Sequence, residues 1–337
     1  MANFTANSSA AAMLNVSSSR SNCSLTAAQN NSLNVLPLTL SFVIMACQLC
    51  NLIVFHFWRD KEPFIHLHVA LAWTSLMSSA ITCGIPLVRM LPRHEPVSVT
   101  LILISGRFYE FGTNLNLMIL VAISVDRWLS VEYPIPYRDQ ISKRIVRRMI
   151  WMAWMVIILI TVPGMILYFQ SSDVRCDAPI REISSTGRSI WKVLTGPLIL
   201  AFLMIFQGRI FVIAVKMKLR LIRAQRRTHA ALRRPSQTMA GIVWGSLRAS
   251  MVITLVSVVT QSPFMFDFYR YIRDPTLQRA FALLPAIQHM YSPIVYLLFF
   301  SQFRAVLRRG WGRLVRGTVL IISALSGVEP AAQSIPP

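Results

Sequence analysis

The sequence predicts an all-α membrane protein: a bundle of seven transmembrane helices followed by a short amphipathic helix on the membrane surface. Three observations predict it. Apolar residues make up 54% of the 337-residue chain and charged residues only 14%, a balance rare in soluble domains of this length. The apolar residues gather in about seven runs, each near the roughly 20 residues a helix needs to cross a bilayer. The lysines and arginines behind the net charge of +21 lie between those runs, a pattern of membrane topology rather than of nucleic-acid binding. The cysteines form no CxxC pair and no Cys/His spacing, which argues against a metal site or a dense disulfide framework. No cofactor and no nucleic-acid partner are expected.

Residues 1–34 are rich in Asn, Ser and Ala and nearly free of charge. Sequons begin at Asn3, Asn7, Asn15, Asn22 and Asn30, so a glycosylated, disordered extracellular tail is expected. No signal-peptide core precedes it, so the first apolar run is expected to act as the signal anchor. The expected organisation is this tail, a bundle over 35–300, a membrane-surface helix over 301–317 and a cytoplasmic tail over 318–337.

The first span runs over 35–58, ending at Trp58-Arg59-Asp60-Lys61, and the second over 67–88. The third runs over 97–125, and the fourth over 149–169 with Trp151, Trp154 and Pro163. The fifth (191–215), sixth (249–269) and seventh (279–300) each contain a proline, at 197, 263 and 293. Such prolines mark kinks, because neighbouring helices can re-satisfy the carbonyls they free.

Orientation follows from the basic residues. The segment 216–248 holds Lys216, Lys218, Arg220, Arg223, Arg226, Arg227, Arg233, Arg234 and Arg248, and no acid. Segments 126–148 and 301–317 are also basic, whereas the intervening loops mix arginines with acids. The positive-inside rule puts the basic segments and the C-terminus in the cytoplasm, with the sequons outside. Anionic lipid headgroups are expected partners of the 216–234 run. In 301–316, Phe303, Val306, Leu307 and Leu314 alternate with arginines, as in a helix lying in the interface.

The third span ends abruptly in Asp126-Arg127-Trp128. Asp126 beside Arg127 offsets the cost of holding a cation in a half-dry setting. Exchanging that partner for another would give Arg127 two discrete arrangements, as a switch requires. A simple interfacial stop charge is the competing reading.

Taken together, the motifs resemble those of the rhodopsin-like (class A) G-protein-coupled receptors. Asp126-Arg127-Trp128 is similar to the family's Asp-Arg-Tyr, with Ser124-Val125 before it and Pro134 after it. Asn51 matches the first-helix asparagine, and Leu71-Ala72-Trp73-Thr74-Ser75-Leu76 resembles the second-helix Leu-Ala-x-x-Asp-Leu. Ser262-Pro263-Phe264 resembles the sixth-helix kink, and Ser292-Pro293-Ile294-Val295-Tyr296 the seventh-helix Asn-Pro-x-x-Tyr. The resemblance implies a plasma-membrane receptor in which Asp126, Arg127, Trp128, Pro263, Pro293 and Tyr296 serve switching and coupling to a heterotrimeric G protein. The second-helix stretch, with Gln261 in place of the sixth-helix Trp, is also faintly similar to prostanoid receptors. The seventh-helix Arg that would hold a prostanoid carboxylate is absent, with Leu283 in its region.

Departures from the family pattern carry their own expectations. Ser75 and Ser292 replace the Asp and Asn of the family's interior sodium site, so sodium dependence is not expected. Val243 stands where many relatives carry a Glu facing the arginine, so no second ionic lock is expected. The third helix lacks its outer cysteine. Cys176 therefore has Cys23 or Cys83 as candidate partners, or is free.

Eighteen residues make five helical turns, so Tyr109 shares the face of Arg127, with Thr113 close to it and Glu110 on the flank. With Gln261, Phe264, Phe268 and Gln288 they are candidate ligand contacts. Helix packing or interhelical hydrogen bonds would account for each equally well. An amine ligand loses its usual anchor at Tyr109, and the ligand class stays open. The competing function is a transporter or channel, but no internal repeat is visible, nor a mid-span acid apart from Glu110. No nucleophile–base or HExxH arrangement suggests an enzyme. A constitutive or non-signalling receptor homologue is the remaining alternative.

Overall fold

A computed structural model describes residue 27 and residues 31–58, 62–90, 96–173, 181–182, 191, 193–227, 237–266 and 275–310. A π-helical turn, Asn31–Val35, leads into α1 (Leu36–Phe57), which is followed by α2 (Ile65–Met90) and α3 (Pro96–Glu132). Next come a short α4 (Pro134–Gln140), α5 (Lys143–Ser171), α6 (Pro197–Arg227) and α7 (Gln237–Met265). The last span is α8 (Pro275–Met290) plus α9 (Ser292–Phe299), and α10 (Ser301–Gly310) follows at 98° to it. The expected tail sequons lie outside the described residues, as do Cys23 and Cys176.

Five of these helices (α1, α2, α3, α5 and α6) are each long and apolar enough to cross a bilayer alone. The bent α8–α10 chain adds another, and α7 completes the bundle by packing on α6, α8 and α9. The centre is α3. It packs on α2, α5, α6 and α7, and 61% of its apolar window is buried against 22–44% for the other four spans. Leu115, Leu117, Ile119, Leu120 and Ile123 are all at most 2% exposed, and with the buried Asn114 and Ala122 they lie on every side of the helix. A helix buried all round belongs in an interior, and this one is surrounded by protein.

Glycine sets two of the closest approaches. A Cβ on Gly112 of α3 would stand 2.7 Å from the Ser78 side chain of α2, and one on Gly245 of α7 would stand 2.8 Å from the Phe299 carbonyl oxygen at the end of α9. Only a residue without Cβ lets these helices meet so closely.

Several expected boundaries are corrected. The third span does not end at 125: α3 runs on to Glu132, because Asp126 and Arg127 are neutralised inside protein rather than at the edge of the helix. The fourth helix starts at Lys143 rather than 149. The fifth keeps its expected bounds as an apolar span, Val193–Lys216, with a turn at Gly196 before α6, which continues to Arg227. The seventh is irregular at Tyr291, whose backbone stays helical (φ −81°, ψ −13°), so the disturbance falls beside Pro293, where a kink was expected. The described surface helix spans 301–310 of the expected 301–317. Its bend is fixed by Arg304, whose Nη1 donates to the carbonyls of Leu297 at 2.8 Å and Leu298 at 2.9 Å. Those are carbonyls that the end of α9 would otherwise leave without partners. The all-helical expectation omitted one small feature, a two-residue antiparallel ladder pairing Ser172–Asp173 with Arg181–Glu182.

Candidate functional site around Asp126 and Arg127

Asp126 and Arg127 are 1% and 5% exposed, near one end of α3. The arginine Nε donates to Asp126 Oδ2 at 2.9 Å, and Nη2 donates to the same oxygen. Tyr137 of α4 closes a ring: its hydroxyl donates to Asp126 Oδ1 at 2.9 Å and accepts from Arg127 Nη2 at 3.2 Å. Burial, more than the neighbouring charges, pushes the Tyr137 hydroxyl far above the ordinary tyrosine value, so it stays a proton donor at physiological pH. The remaining nitrogen, Nη1, reaches across the bundle to Ser246 Oγ on α7 at 2.8 Å. The guanidinium also lies 4.2 Å from the ring centroid of Phe64, at the entry to α2.

The cation therefore has an anionic partner on its own helix and neutral partners on three neighbouring segments. Removing Asp126 alone would strand a buried charge, at about 3–5 kcal/mol. The link from Arg127 to α7, the Ser246 contact, is a single hydrogen bond from the guanidinium to a neutral hydroxyl, without countercharge on α7.

Trp128 faces elsewhere. Its Nε1 donates to Glu132 of the same helix, and its ring lies 5.9 Å from Phe206 of α6. Tyr296 is 1% exposed, and its hydroxyl is 3.1 Å from His68 Nδ1 on α2. The Tyr296 ring packs between Phe55 and Phe303 at 5.2 and 5.7 Å. Pro263 lies within α7, and Pro293 starts α9. The sequence reading missed Tyr137, Ser246, Phe64 and His68. Only Tyr137, a polar aromatic soon after the Asp-Arg pair, carried any signal; the others come from elements distant in sequence.

Higher in the bundle the two replaced motif positions join a neutral network. Ser75 Oγ donates to Asn116 Oδ1 at 3.1 Å and meets His289 Nδ1 at 2.9 Å, while Thr74 bonds the same Asn116 oxygen at 2.5 Å. Ser292 Oγ accepts from Gln48 Nε2 at 3.1 Å and Asn51 Nδ2 at 3.0 Å. These oxygens do not fit a sodium ion: no carboxylate stands among them to balance its charge, and both serine hydroxyls are already engaged. Beside this network, Gln207 of α6 ties three helices together, donating from Nε2 to Ser124 and Thr254 at 2.8 Å each.

Of the candidate ligand contacts, the structure joins Gln261 and Gln288 directly, Nε2 to Oε1, at 0% and 5% exposure. Thr113 is buried and donates to the Tyr109 carbonyl at 3.0 Å, while Tyr109 and Glu110 are half-buried. The side chain of Phe264 and all of Phe268 lie outside the described residues. Cys83 is a buried free thiol, so the structure does not pair it with Cys176.

The sequence model of a family described as "7 transmembrane receptor (rhodopsin family)" matches residues 49–296. The chain belongs to that family. Its members are multi-pass receptors and not enzymes, and the fold agrees. The crystal structure of squid rhodopsin superposes with a TM-score of 0.69 over 86% of this chain and 87% of that one, at 13% sequence identity. At that identity the likeness concerns the fold alone. No curated protein sequence matches the chain. Within the rhodopsin family, this receptor keeps the Asp-Arg pair and replaces the polar pair of the bundle centre with serines.

Proposed function

We propose that this receptor transmits an extracellular ligand signal to a heterotrimeric G protein by rearranging the helices around Asp126 and Arg127. The observation that carries the reading is the state of Arg127: a buried cation firmly held by its own helix and lightly held to α7 through Ser246. A small displacement of α7, hinged near Pro263, breaks one charge-assisted hydrogen bond and opens the bundle end beside the guanidinium. A ligand that favours the open arrangement shifts the population toward it. Family membership supports a G protein as partner.

In this reading the N-terminus and its sequons are extracellular and the basic segments cytoplasmic, where they meet anionic lipids. Tyr109, Glu110, Thr113, Gln261, Phe264, Phe268 and Gln288 surround the ligand cavity, with the Gln261–Gln288 pair as its polar floor. The ligand class is left open.

The test is expression of the whole chain in cells carrying a panel of G-protein reporters, challenged with lipid, amine and peptide libraries. Reporter activation under at least one condition is the expected result. Solute or ion flux without reporter activity under any condition would favour a transporter and overturn the reading.

A further inference from the structure

Gln261 of α7 and Gln288 of α8 face each other inside the bundle at 0% and 5% exposure, and their amides meet through one hydrogen bond, from Gln261 Nε2 to Gln288 Oε1. That bond uses half of each amide. Gln261 Oε1 and Gln288 Nε2 are buried and have no hydrogen-bond partner among the described residues. A buried polar atom without a partner carries the full cost of its desolvation, so protein interiors satisfy nearly all of them.

The pairing fixes the chemistry of what is left. Each amide brings one acceptor oxygen and one donor nitrogen. When one donates to the other, one oxygen and one nitrogen remain, and turning both amides over exchanges their owners without changing that count. The pair therefore offers one acceptor and one donor from two adjoining helices. A carboxylate brings only acceptors and would set an oxygen against Gln261 Oε1. An ammonium or amidinium brings only donors and would set an N–H against Gln288 Nε2. A neutral amide with its N–H and carbonyl on one side matches both. The position also matters: Gln261 stands two residues before Pro263 inside α7, and Gln288 stands three before Tyr291, the irregular point between α8 and α9. A group bound to both amides spans two helices beside the places where each departs from regular geometry.

We infer that the Gln261–Gln288 pair is the recognition site for a neutral amide group on the ligand. Gln288 Nε2 donates to the ligand's carbonyl oxygen, and Gln261 Oε1 accepts from its N–H. The inference rests on the proposed function, which makes this pair the polar floor of the ligand cavity. It narrows the ligand to a molecule that presents an uncharged amide there, rather than an amine or a carboxylate.

The test follows the melting temperature of the purified full chain in detergent with three probes of nearly equal shape. Benzamide presents a donor and an acceptor, benzoate two acceptors and benzamidine two donors. Saturating benzamide is expected to raise the melting temperature by about 2–4 °C, and the other two to move it by less than about 1 °C. Q261L/Q288L is expected to abolish the benzamide shift. Q261E leaves two acceptors at the pair and is expected to transfer the shift from benzamide to benzamidine. N114L removes another buried amide, about 140° round α3 from Tyr109, and is expected to keep the wild-type pattern. Equal shifts from the three probes, no shift from any, or a benzamide shift that survives in Q261L/Q288L would overturn the site. Should that double variant fail to fold, an unchanged preference for benzamide in Q261E would overturn it equally. Melting needs no G protein. Probe binding without reporter activity would therefore count against the signalling reading alone, and reporter activation with the wrong probe pattern against this inference alone.

Discussion

Arg127 on α3 and Ser246 on α7 are joined by a single hydrogen bond of 2.8 Å, and Ser246 is itself only 1% exposed. A buried cation is thereby connected through a neutral hydroxyl to the helix proposed to move, and this one bond is proposed to hold α7 in the resting arrangement. Ser246→Ala is expected to raise ligand-independent signalling several-fold in a G-protein reporter assay, since a hydrogen bond to a charged group is worth about 1.5–3 kcal/mol. Basal activity equal to wild type at matched surface expression would mean that the bond does not hold the resting state.

Tyr137 braces the same cation from α4. Tyr137→Phe removes the hydrogen bonds to Asp126 and from Arg127 without changing the ring, at about 1.5–3 kcal/mol. The expected outcome is lower thermal stability of the unliganded receptor, by a few degrees, with the Asp126–Arg127 pair still formed. Asp126→Asn is expected to cost considerably more, because it leaves the guanidinium without its anion. A Tyr137→Phe loss as large as that of Asp126→Asn would contradict this ranking.

The approach of α2 to α3 depends on Gly112. Gly112→Ala places a methyl group against Ser78 and is expected to destabilise the bundle by about 1–3 kcal/mol, read as a lower melting temperature in detergent. Because the obstructing atoms are side-chain Cβ and Oγ, Ser78→Gly in the same chain should recover most of the loss. Absence of rescue would place the strain elsewhere.

The network at Ser75 and Ser292 has no carboxylate among its members. Replacing sodium by choline is therefore expected to leave thermal stability and basal signalling unchanged. Ser75→Asp would introduce a buried carboxylate facing His289 and is the variant in which a cation effect should emerge, if the cavity can accept one. A sodium effect on the wild-type receptor would show that neutral oxygens suffice.

The spans were legible in sequence because bilayer thickness imposes a length and lipid imposes an apolar surface. Asp126 and Arg127 stood out for the same reason, as charges where charge is expensive. What sequence could not supply was the partners of Arg127. Tyr137, Ser246 and Phe64 lie on three other segments, and neither a serine nor a phenylalanine in an apolar run announces which helix it faces. The end of α3 was misplaced because a rule about charge and lipid was applied where the surroundings are protein. The irregularity at Tyr291 lies where Pro293 announced a kink in the sequence. The Gln261–Gln288 bond was legible only as one possibility among several, since an amide inside a bundle serves packing, partner or ligand equally well.

The most direct measurement is G-protein activation by Arg127→Ala at matched surface expression. The variant leaves the Asp126 carboxylate with Tyr137 as its remaining partner among the described residues, a cost of the same kind as Asp126→Asn. Surface expression is expected to stay roughly intact, and G-protein activation per surface receptor is expected to be lost altogether. Signalling unchanged from wild type would contradict the role given to Arg127.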